Sequence, residues 1–178
     1  MDRLAARGRK VEDAGWRGSS NMRVVAVTTA AATSPNCMLP VVASTDVSHI
    51  LNEIARTFLI ELQDCVRAVD YARARPLFAD DVVAFGTFAT VVEGRDRLEH
   101  EQWRNVWPNI RDFTFRLDEL HCLGTELWIC VIVPWDSVGQ RADGGSFSRP
   151  GRATLVLSRR GNQWLAIHSH FSQAPSPG

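Results

Sequence analysis

The chain has 178 residues, 45% of them hydrophobic and 22% charged, with 20 basic residues set against 20 acidic ones. That is enough for one domain of ordinary size with a well-filled core, plus some excess. It excludes a membrane span, since no run approaches the ~20 apolar residues one needs, and a zero net charge leaves no footprint for nucleic-acid binding.

The zero is a cancellation. Residues 1–48 carry six basic and four acidic residues, against 14 and 16 over residues 49–178. The first segment keeps no helical or strand period, which predicts a flexible tail over 1–48, a folded domain over 49–174 and a frayed end over 175–178. Met22 to Ala32 has the outline of a signal peptide, but Thr28 and Thr29 break its apolar run. A start at Met22 or Met38 is the preferred reading. A cytoplasmic protein is expected, with export through Met22 to Ala32 as the alternative.

From His49 to Val69, apolar residues recur at helical spacing (Ile50, Ile54, Phe58, Leu62, Cys65, Val66, Val69), which predicts an amphipathic helix. Asp70 reads as the N-cap of a short helix, Tyr71 to Phe78, that ends at Ala79-Asp80-Asp81. Val82 to Phe88 is an apolar run of strand length. Glu93-Gly94 makes a turn, and Arg95 to Val106 reads as a third helix stopped by Pro108. Phe113, Phe115 and Leu117 then alternate with polar residues, and Leu127 to Trp135 is apolar on both faces. A polar loop, Ser137 to Ser146, leads to a strand at Arg152–Leu157. A hairpin turn at Arg159–Asn162 leads to a last strand, Gln163–Ser172. Helices followed by an antiparallel meander make an α+β fold.

Three segments carry a family resemblance: Asp70-Tyr-Ala-Arg-Ala-Arg-Pro-Leu-Phe-Ala-Asp-Asp-Val-Val, Val-Val-Glu-Gly-Arg-Asp at 91–96, and Gly-Asn-Gln-Trp-Leu-Ala-Ile-His-Ser-His-Phe-Ser at 161–172. In that order they resemble the SnoaL-like and ketosteroid-isomerase-like members of the nuclear-transport-factor-2-like superfamily. The last segment is also similar to the end of the association domain of calcium/calmodulin-dependent protein kinase II. The resemblance implies a cone-shaped α+β domain, with about three N-terminal helices packed on the concave face of a curved, mainly antiparallel sheet. It also implies a pocket between helices and sheet, and commonly a second chain on the convex face. A strand apolar on both faces independently needs cover on both sides.

Set against the ketosteroid isomerases, the resemblance places their tyrosine at Leu62, their base at Gly86 and their third acid at Thr154 or Leu155. None of those groups is present. The pocket arginines of the kinase association domain would fall at Phe171 and near Leu155, which are also apolar. The resemblance turns Ile167, Ser169 and Phe171 toward the pocket and Trp164, His168 and His170 toward the convex face.

Phe58, Leu62, Phe85, Trp103, Trp135, Arg149, Ser169 and Phe171 are therefore the candidate pocket residues; Phe113, Phe115 and Leu155 read as core. Arg149 and Arg152 flank Pro150-Gly151 opposite Trp135-Asp136. A salt bridge from this pair to Asp136 is the ordinary expectation, and a ligand carboxylate or enolate the alternative. His168, His170 and Asp136 are the candidates for acid–base chemistry, although two histidines alone fall short of a metal site and no further ligand cluster adjoins them. Cys37, Cys65, Cys122 and Cys130 lack CxxC spacing, and Cys65, Cys122 and Cys130 read as buried small hydrophobes. No metal or cofactor is expected. The primary reading is a homodimer, joined through the convex sheet face, that binds a small hydrophobic or carbonyl-containing molecule. The alternatives are an isomerase, cyclase or dehydratase using non-standard residues, and a homo-oligomerisation module.

Overall fold

The structure, a computed structural model, describes residues 44–175 apart from Ala142. The expected tail up to residue 43, the signal-like Met22 to Ala32, Cys37 and residues 176–178 lie outside the described residues.

Helix α1, Ser44–Ala68, begins five residues before His49. Its buried stripe is Leu51, Ala55, Phe58, Leu59, Leu62, Cys65 and Val66, a 3.6-residue repeat, whereas Ile50 falls on the exposed side. Val69, with φ of 54°, ends the helix, and the Asp70 carboxylate accepts a 3.0 Å hydrogen bond from the Arg73 amide. Helix α2, Tyr71–Ala74, is short because Pro76 has no amide to continue it, and a 3₁₀ turn over Arg75–Leu77 follows. Strand β1 is Phe78–Phe85, so Ala79-Asp80-Asp81 belongs to a strand and not to a helix end. Asp80 and Asp81 point outward and pair with Arg95 and Arg160.

After β2, Val92–Glu93, Gly94 takes a φ of 90° and opens α3, Arg95–Leu98. The third helical segment continues through a π turn, Glu99–Trp103, into α4, Arg104–Val106, and closes in a 3₁₀ turn, Trp107–Asn109. The wider π turn leaves Gln102 and its neighbour Trp103 both buried. The remaining strands are β3, Ile110–Phe115, β4, His121–Gly124, β5, Trp128–Gln140, β6, Ser146–Ser148, β7, Gly151–Arg160, and β8, Gln163–Gln173. The sheet runs β2-β1-β8-β7-β5-β3, with β4 and β6 also paired to β5, and β1–β8 is its parallel pair. It is thus larger than a four-stranded meander. Strand β5 extends to Gln140 where a loop from Ser137 is expected, because small residues are needed there. A Cβ on Gly139 would fall 2.5 Å from the Phe147 ring and 2.6 Å from Arg149 Cδ.

Strand β5 is apolar on both faces, yet among the described residues only one is covered. Ile129, Val131, Val133 and Trp135 are buried beneath the helices, while Trp128 and Ile132 on the other face are 45% and 40% exposed. In β8 a bulge at Ile167 separates Ala166, opposite Leu157, from His168, opposite Val156. The extra residue reverses the alternation. Ala166 is therefore the buried residue in place of Ile167, and Trp164 packs against the helix-covered core and not on the convex face.

Candidate functional site

Between the helices and the covered face of the sheet lies a cavity with about 50 Å³ of space for the centres of water-sized spheres, widening to about 560 Å³ when the open space at its mouth is included. Its floor is Phe113, Trp135, Ser169 and Phe171, and its roof is Leu62 and Val66 from α1 with Leu98, Trp103, Val106 and Trp107 from the third helical segment. The aromatic wall is braced from behind. Trp103 stacks on Trp107 at 4.9 Å, Trp107 stacks on Tyr71 at 5.3 Å, and the Arg104 guanidinium covers the Tyr71 ring at 4.6 Å.

Of the pocket residues expected from sequence, Leu62, Phe85, Trp103, Trp135, Arg149, Ser169 and Phe171 border this cavity. Phe58 does not: it sits behind Phe78, ring centres 6.2 Å apart, and belongs to the core. Phe85 borders the cavity, but its ring packs edge-on against His168 and His170 at 5.1 and 4.8 Å. These two histidines are absent from the lining, because Ser169 and Phe171 occupy the inward positions that alternate with them. His168 Nδ1 lies 2.8 Å from the Val83 carbonyl oxygen; since a carbonyl only accepts, Nδ1 carries the proton and donates.

Asp136 also faces away. Arg116 donates to it twice, at 2.7 and 2.9 Å, and this fork holds the Asp136 carboxyl below its ordinary range. The expected Arg149–Asp136 ion pair is therefore not formed. Along β5 the inward residues are Trp135 and Ser137, and Arg149 is hydrogen-bonded through its backbone to Ser137, on the cavity side.

Arg149 is the unusual group of this site. It is only 8% exposed, and among the described residues no carboxylate pairs with it. Its contacts are Thr87 Oγ1, to which Nη2 donates at 3.2 Å, and the Trp135 ring, whose centre lies 5.8 Å from Cζ. Burial alone draws its pKa down from the usual guanidinium value. Two more polar atoms nearby are buried without a partner, Trp135 Nε1 and Ser137 Oγ. The Trp135 ring lies where a Cβ on Gly151 would stand, 2.1 Å from its nearest carbon, so glycine is required opposite it. Thr87, Val106, Ile110 and Arg149 line both the cavity and an outer cleft that also holds Asn105, Asn109 and Gln140. Arg149 thus stands where apolar interior meets polar entrance.

Sequence reasoning missed Gln102, Thr87, Trp107 and Ser137. A regular helix would not predict both Gln102 and Trp103 facing in, and no pattern in the sequence announces the π turn. Gln102 Oε1 accepts from the Phe88 and Ala89 amides at 3.2 and 2.7 Å, and its side chain fills the space beside Gly86, where a Cβ would meet it at 2.4 Å. Leu62 and Gly86, where the resemblance would put a tyrosine and a base, are both on the lining. Among the described residues no group of three or more His, Cys, Asp or Glu side chains is placed to hold a metal ion, and no helix is long and apolar enough to cross a membrane.

Residues 56–177 match the family model of the SnoaL-like domain. Among solved structures, a nuclear transport factor 2-like superfamily protein from Salmonella enterica serovar Typhimurium LT2 is similar at a TM-score of 0.63, with 15% identity over 73% of this chain and 95% of that one. A ketosteroid isomerase-like protein from Erwinia carotovora atroseptica has a TM-score of 0.61, with 15% identity over 70% and 96%. The association domain of CaMKII from C. elegans has a TM-score of 0.56, with 16% identity over 72% and 99%. No curated protein matches the sequence. At these identities the likeness is one of fold: a cone-shaped α+β fold with its helices on the concave face of a curved, mixed sheet.

Proposed function

The chain belongs to the SnoaL-like domain family, and on that premise we propose that it binds a small, largely apolar, carbonyl-containing molecule in the cavity beneath its helices. The observation that carries this reading is the lining itself. It is aromatic and aliphatic over most of its area, with a few polar groups, Thr87, Gln102, Arg149 and Ser169, as in pockets that orient a ligand by few contacts. Donors predominate among them, and a carbonyl oxygen is their natural complement. The same lining argues against an isomerase, cyclase or dehydratase. Such enzymes need a base near the reacting carbon, and the described lining holds one ionisable group, a guanidinium that does not deprotonate.

The test uses the protein's own tryptophans, since Trp103, Trp107 and Trp135 all line the cavity. Small aryl ketones titrated against the protein should quench its fluorescence saturably and raise its melting temperature. Val106→Trp, at a partly exposed position shared by cavity and cleft, should plug the mouth and abolish the signal while the protein stays folded. Unchanged binding in that variant, or no response at millimolar ligand, would count against the reading.

A second reading concerns assembly, and the uncovered sheet face supports it. Across five paired strands Val83, His168, Val156, Cys130 and Leu123 form one row, and Phe85, His170, Thr154, Ile132 and His121 the next. With Trp128 beside them they make a broad, mainly apolar face of the kind that marks a protein contact. We propose a homodimer through this face. Sedimentation should give two chains per particle, and Trp128→Glu with Ile132→Glu should give one; a monomeric wild-type protein would refute it.

A further inference from the structure

Taking the ligand-binding reading of the cavity as its basis, we infer that the ligand is an anion, an aryl or alkyl monocarboxylate whose head group is held by Arg149 and whose apolar body fills the chamber behind it. A buried guanidinium without a counter-charge is costly, because desolvating an ion is repaid only by an opposite charge and well-made hydrogen bonds. Arg149 receives no opposite charge from the described residues and little hydrogen bonding: the Thr87 hydroxyl engages one of its nitrogens, and the Trp135 ring lies to one side. Even arginines that water can reach are matched by a carboxylate here, as Arg75 and Arg104 are by Glu99 and Arg116 is by Asp136, whereas the buried Arg149 is not.

The surroundings are shaped to keep Arg149 in place. Gly139 leaves room for its aliphatic stem, at the spot where a Cβ would come within 2.6 Å of Cδ, and Gly151 leaves room for the Trp135 ring. Trp135, itself 2% exposed and on the same lining, brings an Nε1–H that has no acceptor. Donors therefore outnumber acceptors at this end of the cavity, and a carboxylate, which only accepts, corrects the imbalance. A ketone oxygen would satisfy one donor and leave the charge uncompensated. The opposite end, formed by Leu62, Phe78, Leu98 and Trp103, has no charged side chain and is walled by apolar and aromatic surface that suits an aryl or short alkyl group. The outer cleft at Arg149 gives the head group a polar route in.

The experiment compares phenylacetate with phenylacetamide, equal in shape and different in charge, by tryptophan fluorescence and calorimetry at pH 7. Wild-type protein should bind the acid at least about tenfold more tightly than the amide. Arg149→Gln should bring the ratio close to one, and Trp135→Phe, which keeps the ring and removes the donor, should weaken the acid about two- to fivefold. Asp136→Asn, on the other face of the sheet, should leave the ratio as it is. If both compounds bind wild-type protein equally, the carboxylate inference falls and the ligand-binding reading stands. If neither binds, and the aryl ketones do not either, the cavity is not a ligand site and both fall. Should Arg149→Gln fail to fold, the wild-type ratio and Trp135→Phe still decide. A strong preference for the acid that persists unchanged in Arg149→Gln would place the anion elsewhere.

Discussion

The two faces of the sheet divide its chemistry unequally, and β5 shows the division residue by residue. Trp135 and Ser137 are buried on the face beneath the helices, where Trp135 lines the cavity, while Pro134 and Asp136 point out. On the outer face the carboxylate of Asp136 is closed by Arg116, and His168 is spent on a backbone carbonyl and on Phe85. On the inner face a cation stands, among the described residues, without a counter-ion and beside two unpartnered polar atoms. The groups that look chemical in the sequence are the satisfied ones. The group with unfilled bonding capacity is an arginine, which no catalytic motif would single out. Unsatisfied valence, more than residue type, distinguishes a place built for something else to bind.

The comparison breaks most visibly by damaging the inner face. Phe78 is almost fully buried, packs edge-on to Trp103 at 5.0 Å and lines the cavity. Phe78→Ala should destabilise the domain by about 3–5 kcal/mol, read as a lowered urea midpoint, and should weaken phenylacetate and phenylacetamide alike because it removes apolar wall. Equal stability in the variant would mean that the wall is not packed as described. Next in size comes the outer face. His168→Ala removes the hydrogen bond to Val83 and the edge contact with Phe85, a loss of about 1 kcal/mol. It should leave the acid-to-amide preference untouched when measured at one fixed protein concentration. A change in that preference would show that the histidine reaches the ligand after all.

Much of the division was legible beforehand. Helical spacing located α1 and its buried Phe58, Leu62 and Cys65, and the Asp70 cap announced α2. Period-two alternation after the β8 bulge put Ser169 and Phe171 on one side and His168 and His170 on the other. What escaped depends on events that leave no periodic trace. One extra residue at Ile167 turned Trp164 and Ala166 inward, and a π turn turned Gln102 inward next to Trp103. The extension of β5 past Trp135 was hidden because its inward residues there, Ser137 and Gly139, are small where an apolar pattern would be sought. Gly139 is small to make room for Arg149 and Phe147. The partner of Arg149 was misread for the same reason: adjacency of Trp135-Asp136 in sequence suggested an ion pair that the alternation of the strand forbids.

The smallest expected effect tests the comparison most finely. The Asp136 carboxyl titrates below its ordinary range because Arg116 donates to its charged form. A carboxyl held down in the folded state contributes stability that is present above its unfolded pKa, about 3.9, and lost as pH falls through the lower folded value. Both partners are well exposed, with side chains 39% and 45% accessible, so solvent screening keeps the contribution of the pair small. Asp136→Asn should therefore lower stability slightly at pH 7, and the gap to wild type should close as the pH falls below the ordinary carboxyl range. Raising salt should narrow the same gap, since an exposed pair is screened. Arg149 should behave in the opposite way. Among the described residues it has no carboxylate to lose, only the Thr87 hydrogen bond and the Trp135 contact, so Arg149→Gln should leave stability nearly unchanged or raise it in the absence of ligand, at any pH where the domain is folded, and should reverse that order only when saturating phenylacetate supplies the missing charge. If Arg149→Gln instead destabilised the ligand-free protein with the pH dependence of a broken carboxylate pair, the inner arginine would be a structural ion like the outer one, and the two faces would not differ in kind.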